Sequence, residues 1–267
     1  MNYKIGFIGA GKMATAIIKG IIYSDICESG NIHVFDVNPD ALNKMKNELN
    51  ITAENSSEHV AEKSDIVFFA VKPFVMRDVL SQLKGKFKEN QLIVSIAAGI
   101  STKTIEEYTG KNPVIRVMPN TPALVKEGMS AVCKGTYAEE SHADTVCTIF
   151  NSLGKAIKED EKNIDAITAV SGSGPAYFYC FINEFAKAGE EYGLNKDTAL
   201  LLAAQTALGS AKMIMETGVS PEELIRNVTT PGGCTEVGNN ILSENNIGRI
   251  IEEVVKGTKI KASELGK

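Results

Sequence analysis

The sequence predicts an α/β protein, with a doubly wound, mostly parallel sheet over residues 1–159 and an all-helical part over residues 160–267. Three observations predict this. The stretch Tyr3-Lys-Ile-Gly-Phe-Ile-Gly9-Ala-Gly11-Lys-Met-Ala14 passes from an apolar strand through a glycine turn straight into a helix. The runs Ile66-Val-Phe-Phe-Ala-Val71 and Leu92-Ile-Val-Ser-Ile-Ala-Ala98 are apolar on both faces, as strands covered by helices on both sides must be. Beyond Glu159 the strand signals stop and helical periodicity runs to the end of the chain.

The elements follow in order. Strands are read at 4–9, 32–37, 65–71, 92–98, 114–118, 129–133 and 155–158. Amphipathic helices separate them, the first marked by Ile17, Ile18, Ile21 and Ile22. Right-handed crossovers between such strands give a doubly wound sheet whose ligands sit at the carboxyl ends of the strands. The last two strands follow shorter connections, which points to an antiparallel edge. Helices are read at 163–170, 175–192, 197–217, 221–227, 233–244 and 247–264, broken by Ser171-Gly-Ser-Gly-Pro175, Gly193, Gly218 and Pro231-Gly-Gly233. The helix from Asp197 to Met215 is apolar around most of its circumference and needs burial on several sides. A second copy of the chain is the expected cover, the alternative being a helix sandwiched within the monomer.

Composition narrows the class. The chain has 267 residues, 43% hydrophobic and 23% charged, as a soluble globular protein does, and a net charge of −5 offers no basic stripe for nucleic acid. No leader pattern opens it, and no stretch is read as spanning a bilayer. Five cysteines, Cys27, Cys133, Cys147, Cys180 and Cys234, lack metal-ligand spacing, so reduced thiols in the cytoplasm and no metal are expected. His33, His59 and His142 are scattered and are read as structural.

The chemistry gathers at loops. Gly9 allows the tight turn, Gly11 lets the backbone approach a pyrophosphate, and Ala14 lets helix and strand pack closely, while the helix N-terminus supplies N–H groups for the anion. Asp36 closes the second strand where an acid accepts hydrogen bonds from ribose hydroxyls, and its charge opposes a 2′-phosphate. That favours NADH over NADPH. Lys72, after six apolar residues, is too polar to continue a buried strand, and Pro73 starts a helix where its missing donor costs nothing. Ala97 and Ala98 are small enough for a cofactor ring to lie against the backbone, and Met118-Pro-Asn-Thr-Pro122 fixes a loop at the same rim. Ser171-Gly-Ser173-Gly-Pro175 and Thr229-Thr-Pro-Gly-Gly-Cys-Thr235 each place hydroxyls and glycine N–H groups at a helix start, as an anion nest or as a plain helix cap.

With those loops in order, the chain resembles the pyrroline-5-carboxylate reductase family over essentially its whole length. The resemblance rests on Gly6–Ala14, Ala70-Val-Lys-Pro73, Ala97-Ala-Gly99, Arg116-Val-Met-Pro-Asn-Thr-Pro122, Asp165-Ala-Ile-Thr168, Ser171–Tyr177, Gln205, Gly209, Lys212-Met213 and Pro231-Gly-Gly-Cys-Thr235. It implies that Gly9, Ala10, Gly11, Lys12 and Met13 hold the pyrophosphate, that Ala70, Val71, Lys72, Pro73 and Ala97 line the nicotinamide side, and that Asn55 or Ser57 touches the adenosine. It places the substrate carboxylate on Gly233, Cys234 and Thr235, with Asn227, Val228 and Thr230 around it and Glu161 nearby. Ser173, from the first of the two glycine loops, is a further candidate for the substrate. The family pairs through its C-terminal helices, often as rings of dimers, with substrate pockets at the dimer interface. Asp36 departs from the small or hydroxyl residues of many members, and the short C-terminus leaves the ring less supported than the dimer.

The implied reaction is hydride transfer from NADPH or NADH to C5 of 1-pyrroline-5-carboxylate, giving L-proline, with Glu161 and Thr235 as candidates to steady or protonate the ring nitrogen. A 3-hydroxyacid dehydrogenase would want a lysine base between Ala176 and Phe185, and none stands there. A cofactor-sensing binding protein without turnover is the other alternative.

Overall fold

The structure, a computed structural model, describes residues 3–265. Eight strands form one sheet: β1 (Ile5–Ile8), β2 (Ile32–Phe35), β3 (Thr52–Ala53), β4 (Ile66–Phe69), β5 (Leu92–Ser95), β6 (Val114–Met118), β7 (Gly128–Lys134) and β8 (Gly154–Lys158). Their spatial order is β3-β2-β1-β4-β5-β6-β7-β8. The first six in that order run parallel, β7 is antiparallel to β6, and β8 is parallel to β7. Chain order therefore reverses direction between β1 and β4, which opens a crevice at their carboxyl ends.

Period-two alternation divides the core. Along β1 and β4, Ile5, Phe7, Ile66 and Phe68 face one apolar layer, while Ile8, Val67 and Phe69 face the other. The first layer packs on α1 (Lys12–Tyr23) and α6 (Glu140–Asn151), with Phe7 and Phe68 stacked at 4.6 Å and Phe150 tilted against Phe68. The second takes Met76, Leu80 and Leu83 of α4 (Pro73–Leu83) and Ile105 of α5 (Thr102–Thr109). Each fully buried Phe, Leu or Ile contributes about 1.5–3 kcal/mol. Two helices lie on the β2–β3 side: α2 (Pro39–Leu49), capped by the Asn38 side chain, and α3 (Ser57–Lys63), capped by Ser56.

The remaining helices are α7 (Ile164–Ile167), α8 (Gly174–Glu191), α9 (Lys196–Thr217), α10 (Pro221–Val228), α11 (Cys234–Glu244) and α12 (Ile247–Leu265). A π-helical turn, Thr168–Gly172, follows α7 directly. The chain packs as two units, Met1–Ser173 with Thr258–Lys267, and Gly174–Gly257. The segment from residue 160 to Ser173, expected to open the helical part, packs with the sheet unit.

The second unit buries little on its own. Within α8 and α9 only Gly174, Ala186 and Ala199 are buried, and α10 and α11 bury no residue. Phe185, Leu201 and Met215 are each 67% exposed. Helix α9 is long and apolar enough, by length and composition alone, to cross a membrane.

Candidate active site

The crevice between β1 and β4 is a cavity of about 1060 Å³. Gly9 shapes its floor. Its φ of +106° favours glycine, and a Cβ there would lie 2.6 Å from the Ala70 carbonyl oxygen. Gly11 is the N-cap of α1 and meets no protein atom where its Cβ would be, so the α1 N-terminus is open to an anion. Every residue expected from the sequence to touch the cofactor lines this cavity except Ala10 and Asn55.

Ala10 has a different task. Its N–H donates to Asp36 Oδ2 at 2.6 Å, and the Asn38 N–H donates to Oδ1 at 2.8 Å. The Asp36 carboxylate is thereby fixed at the end of β2 with lone pairs left for further donors. Asn55 is exposed, and Ser57, the first residue of α3, takes the wall position instead. The cations on the described wall are Lys12, which opens α1, and Lys72, the N-cap of α4 with Pro73 at its first position. Ile96, Ala97 and Ala98 form the wall beyond β5, and Pro119, Thr121 and Leu124 come from the loop after β6. Phe74, 82% exposed and also on the wall, had no signal in the sequence beyond its place after Pro73.

Glu161 does not present a free carboxylate. Its Oε1 accepts Arg116 Nη1 and the Thr102 N–H, both at 2.9 Å, and its Oε2 accepts the Thr102 hydroxyl at 2.5 Å. A buried arginine demanded a carboxylate, and Glu161 supplies it, while also accepting from Thr102 at the start of α5, a helix already capped by the Ser101 side chain.

Ser171–Pro175 is not an open nest either. Gly172 passes over Met118, whose Cε would be 2.5 Å from a Cβ, and the Asn120 side-chain amide donates to the Ser171 carbonyl at 3.2 Å. The chain winds through this stretch, with the Ser173 N–H donating to the Thr168 carbonyl at 2.8 Å. That bond runs from residue i+5 back to residue i, which makes Thr168–Gly172 a π-helical turn.

In the second unit, Pro231-Gly-Gly leads into α11, whose N-cap is Gly233 without a side-chain cap. The Gly233 N–H is used by the Thr230 carbonyl at 2.9 Å and the Gly232 N–H by Glu236 Oε2 at 2.8 Å. Thr235, at the second helical position, is exposed and does not cap the helix. The α10 end that carries Asn227 and Val228 is tied to α11 through Thr229, whose hydroxyl accepts from the Asn239 amide at 3.0 Å.

Two of the three histidines have structural tasks. His33 Nδ1 lies 2.8 Å from Glu54 Oε1 in the core, and His142 closes the capping box of α6 with Glu139. All five cysteines are free, and burial pushes the Cys133 thiol up to about 12.

A glycine turn at the switch point, an open helix N-terminus and an acid ending β2 define the class: a nicotinamide-dinucleotide oxidoreductase with a Rossmann-type sheet. Residues 4–99 match the family described as NADP oxidoreductase, coenzyme F420-dependent, and residues 161–265 the family described as pyrroline-5-carboxylate reductase dimerisation. A pyrroline-5-carboxylate reductase of Arabidopsis thaliana is 38% identical over 99% of this chain and 96% of its own length. One of Methanosarcina acetivorans is 39% identical over 100% and 99%. Among solved structures, a pyrroline-5-carboxylate reductase from Coxiella burnetii superposes with a TM-score of 0.95 at 32% identity, covering 100% of both chains. The Plasmodium falciparum enzyme with NADP bound gives 0.89 at 32% identity, covering 100% of this chain and 99% of that one. The chain belongs to the pyrroline-5-carboxylate reductase family.

Proposed function

We propose that the protein reduces 1-pyrroline-5-carboxylate to L-proline, working as a homodimer in the cytoplasm and using NADH in preference to NADPH. The reading is carried by the presence together, in a member of this family, of a dinucleotide cavity and an uncapped helix N-terminus after Pro231-Gly-Gly. Unpaired cysteines go with a reducing compartment.

The residues at the cavity fit a dinucleotide: a Cβ at Gly9 would fill the floor, and the α1 N-terminus is open. Gly11, Lys12 and Met13 take the pyrophosphate, Asp36 accepts from the ribose hydroxyls, and Ala70, Val71, Lys72, Pro73 and Ala97 flank the nicotinamide end. When bound, the reduced nicotinamide supplies a hydride to C5 of the imine. A protonated C=N is already electrophilic, so the protein's contribution is orientation and electrostatics.

The N–H groups at the start of α11, from Cys234 and Thr235, hold the substrate carboxylate, with Asn227, Val228, Thr230 and Gly233 around it. The Thr235 hydroxyl donates to that carboxylate or steadies the ring nitrogen. Thr235, rather than the engaged Glu161, is the donor in this scheme. Asp36 sets the cofactor preference because its fixed charge repels a 2′-phosphate, and the cations on the described wall, Lys12 and Lys72, serve the pyrophosphate and the nicotinamide in this scheme.

The test is oxidation of NADH and NADPH by the purified protein with pyrroline-5-carboxylate, with proline measured as product. Turnover with the larger kcat/KM for NADH is expected. Cofactor binding without turnover would instead favour the sensing protein.

A further inference from the structure

The groups around Glu161 converge on one loop. Residues 96–101 join β5 to α5, and their first half, Ile96, Ala97 and Ala98, walls the cavity. Their second half is tied down from three sides. The Ser101 hydroxyl accepts the Thr104 N–H at 3.1 Å and caps α5 from within. Glu161 caps the same helix from outside, accepting both the N–H and the hydroxyl of Thr102. Arg116, 6% exposed on β6, donates to the same carboxylate and holds it in place. On the third side, Gly99 stands at φ +75°, where a Cβ would come within 2.6 Å of the Leu265 carbonyl oxygen at the end of α12. The Ser263 hydroxyl donates to Asp165 at 2.5 Å in the same region.

We infer that Glu161 is a positioning residue: held by Arg116 and acting through Thr102, it sets the loop whose Ala97 and Ala98 support the nicotinamide. Two features argue for this against direct proton transfer. Both carboxylate oxygens are already engaged by strong donors, one of them a guanidinium. The helix it caps begins four residues after the last alanine of the wall, so a shift at Thr102 passes along a short, otherwise pinned connection. A carboxylate at a helix N-terminus is also favoured by the helix dipole, which steadies α5 at this end. The inference rests on the reading that Ala97 and Ala98 support the nicotinamide.

The test measures binding without imine. Dissociation constants for NADH and for ADP-ribose, which lacks the nicotinamide, are compared in the wild type, Glu161→Gln, Thr102→Val and the double variant. Thr102→Val deletes the hydroxyl with little change of shape and serves where Glu161→Gln fails to fold. Expected are an NADH Kd raised about five- to thirtyfold in each single variant, the scale of one lost positioning contact, and ADP-ribose Kd unchanged within about twofold. The double variant should be no worse than the weaker-binding single, because both break one connection. Unchanged NADH binding in Thr102→Val, or additive losses in the double variant, overturns the inference. So does a Glu161→Gln variant that keeps its NADH Kd and loses only kcat, since that assigns direct chemistry. Wild-type protein that binds neither probe removes the cavity reading and this inference with it, whereas normal wild-type binding beside unaffected variants removes the inference alone.

Discussion

The two units treat the same kind of side chain in opposite ways. In the sheet unit Phe7, Phe68, Ile17 and Leu80 are fully shut off from solvent, whereas in the helical unit Phe185, Leu201 and Met215 are each 67% exposed. Composition does not separate them; layering does. A sheet with helices on both faces buries its apolar groups within one chain, while a small group of helices has too few layers to do so. The family match over residues 161–265, described as dimerisation, says what supplies the missing layer. The first unit is a finished fold and the second is half of one.

The sharpest way to break that contrast is a charge on the uncovered face. Leu201→Asp would bury an unpaired carboxylate in the pairing surface, a cost of several kcal/mol. Sedimentation at micromolar concentration should show monomers, and imine reduction should fall by about a hundredfold or more. NADH binding, which belongs to the sheet unit, should persist. The wild type should sediment as a dimer burying more than about 2,000 Å², the range of permanent interfaces. A ring of dimers, implied by the resemblance, would appear in the same run as a species several times larger. A folded, active wild-type monomer would refute the contrast altogether.

A smaller effect tests the helical unit's own chemistry. Thr235→Ala removes a hydroxyl from the start of α11, with an expected loss of about 1–3 kcal/mol in kcat/KM for the imine, roughly five- to 150-fold. Cofactor affinity should hardly change. If the residue only supports the helix, the penalty should appear instead as about 1 kcal/mol of stability with kinetics intact. One variant, followed by melting and by imine kinetics, decides between them.

The smallest expected effect lies in the sheet unit. Asp36→Ser keeps an acceptor at the end of β2 but removes the charge, so the NADH advantage over NADPH should narrow about tenfold, about 1.4 kcal/mol. A wild type that uses NADPH equally well or better would overturn the preference.

Where the sequence was readable, one residue's neighbours along the chain sufficed. The glycine turn, the apolar strands and the helical periodicity after Glu159 are local patterns, and each appears where expected. Strand ends were overrun at Ala70–Val71 and Ile96–Ala98, because the cavity wall is as apolar as the ladder it continues. The two-residue β3 was too short to leave a pattern. Serines and glycines at 171–174 suggest a loop by composition, and only Met118 and Asn120, far away in the chain, show why the segment winds instead. Glu161 is the clearest case. Its partners Thr102 and Arg116 lie 59 and 45 residues away, and no spacing rule announces them. Ala10 likewise acts on Asp36 through a backbone N–H, which its side chain cannot reveal.

The floor of the cavity carries a consequence for genetics. Gly9 is required twice over, by its own backbone angle and by the carbonyl of Ala70 opposite. Neither reason lives in a side chain. Replacing Ala70 with any other residue leaves the same carbonyl in the same place, and no change elsewhere alters the dihedral preference of an alanine at position 9. A selection for proline prototrophy in a Gly9→Ala strain should therefore return codons restoring glycine, with intragenic suppressors absent, whereas a defect at Thr102 or Leu201 leaves side chains free to compensate.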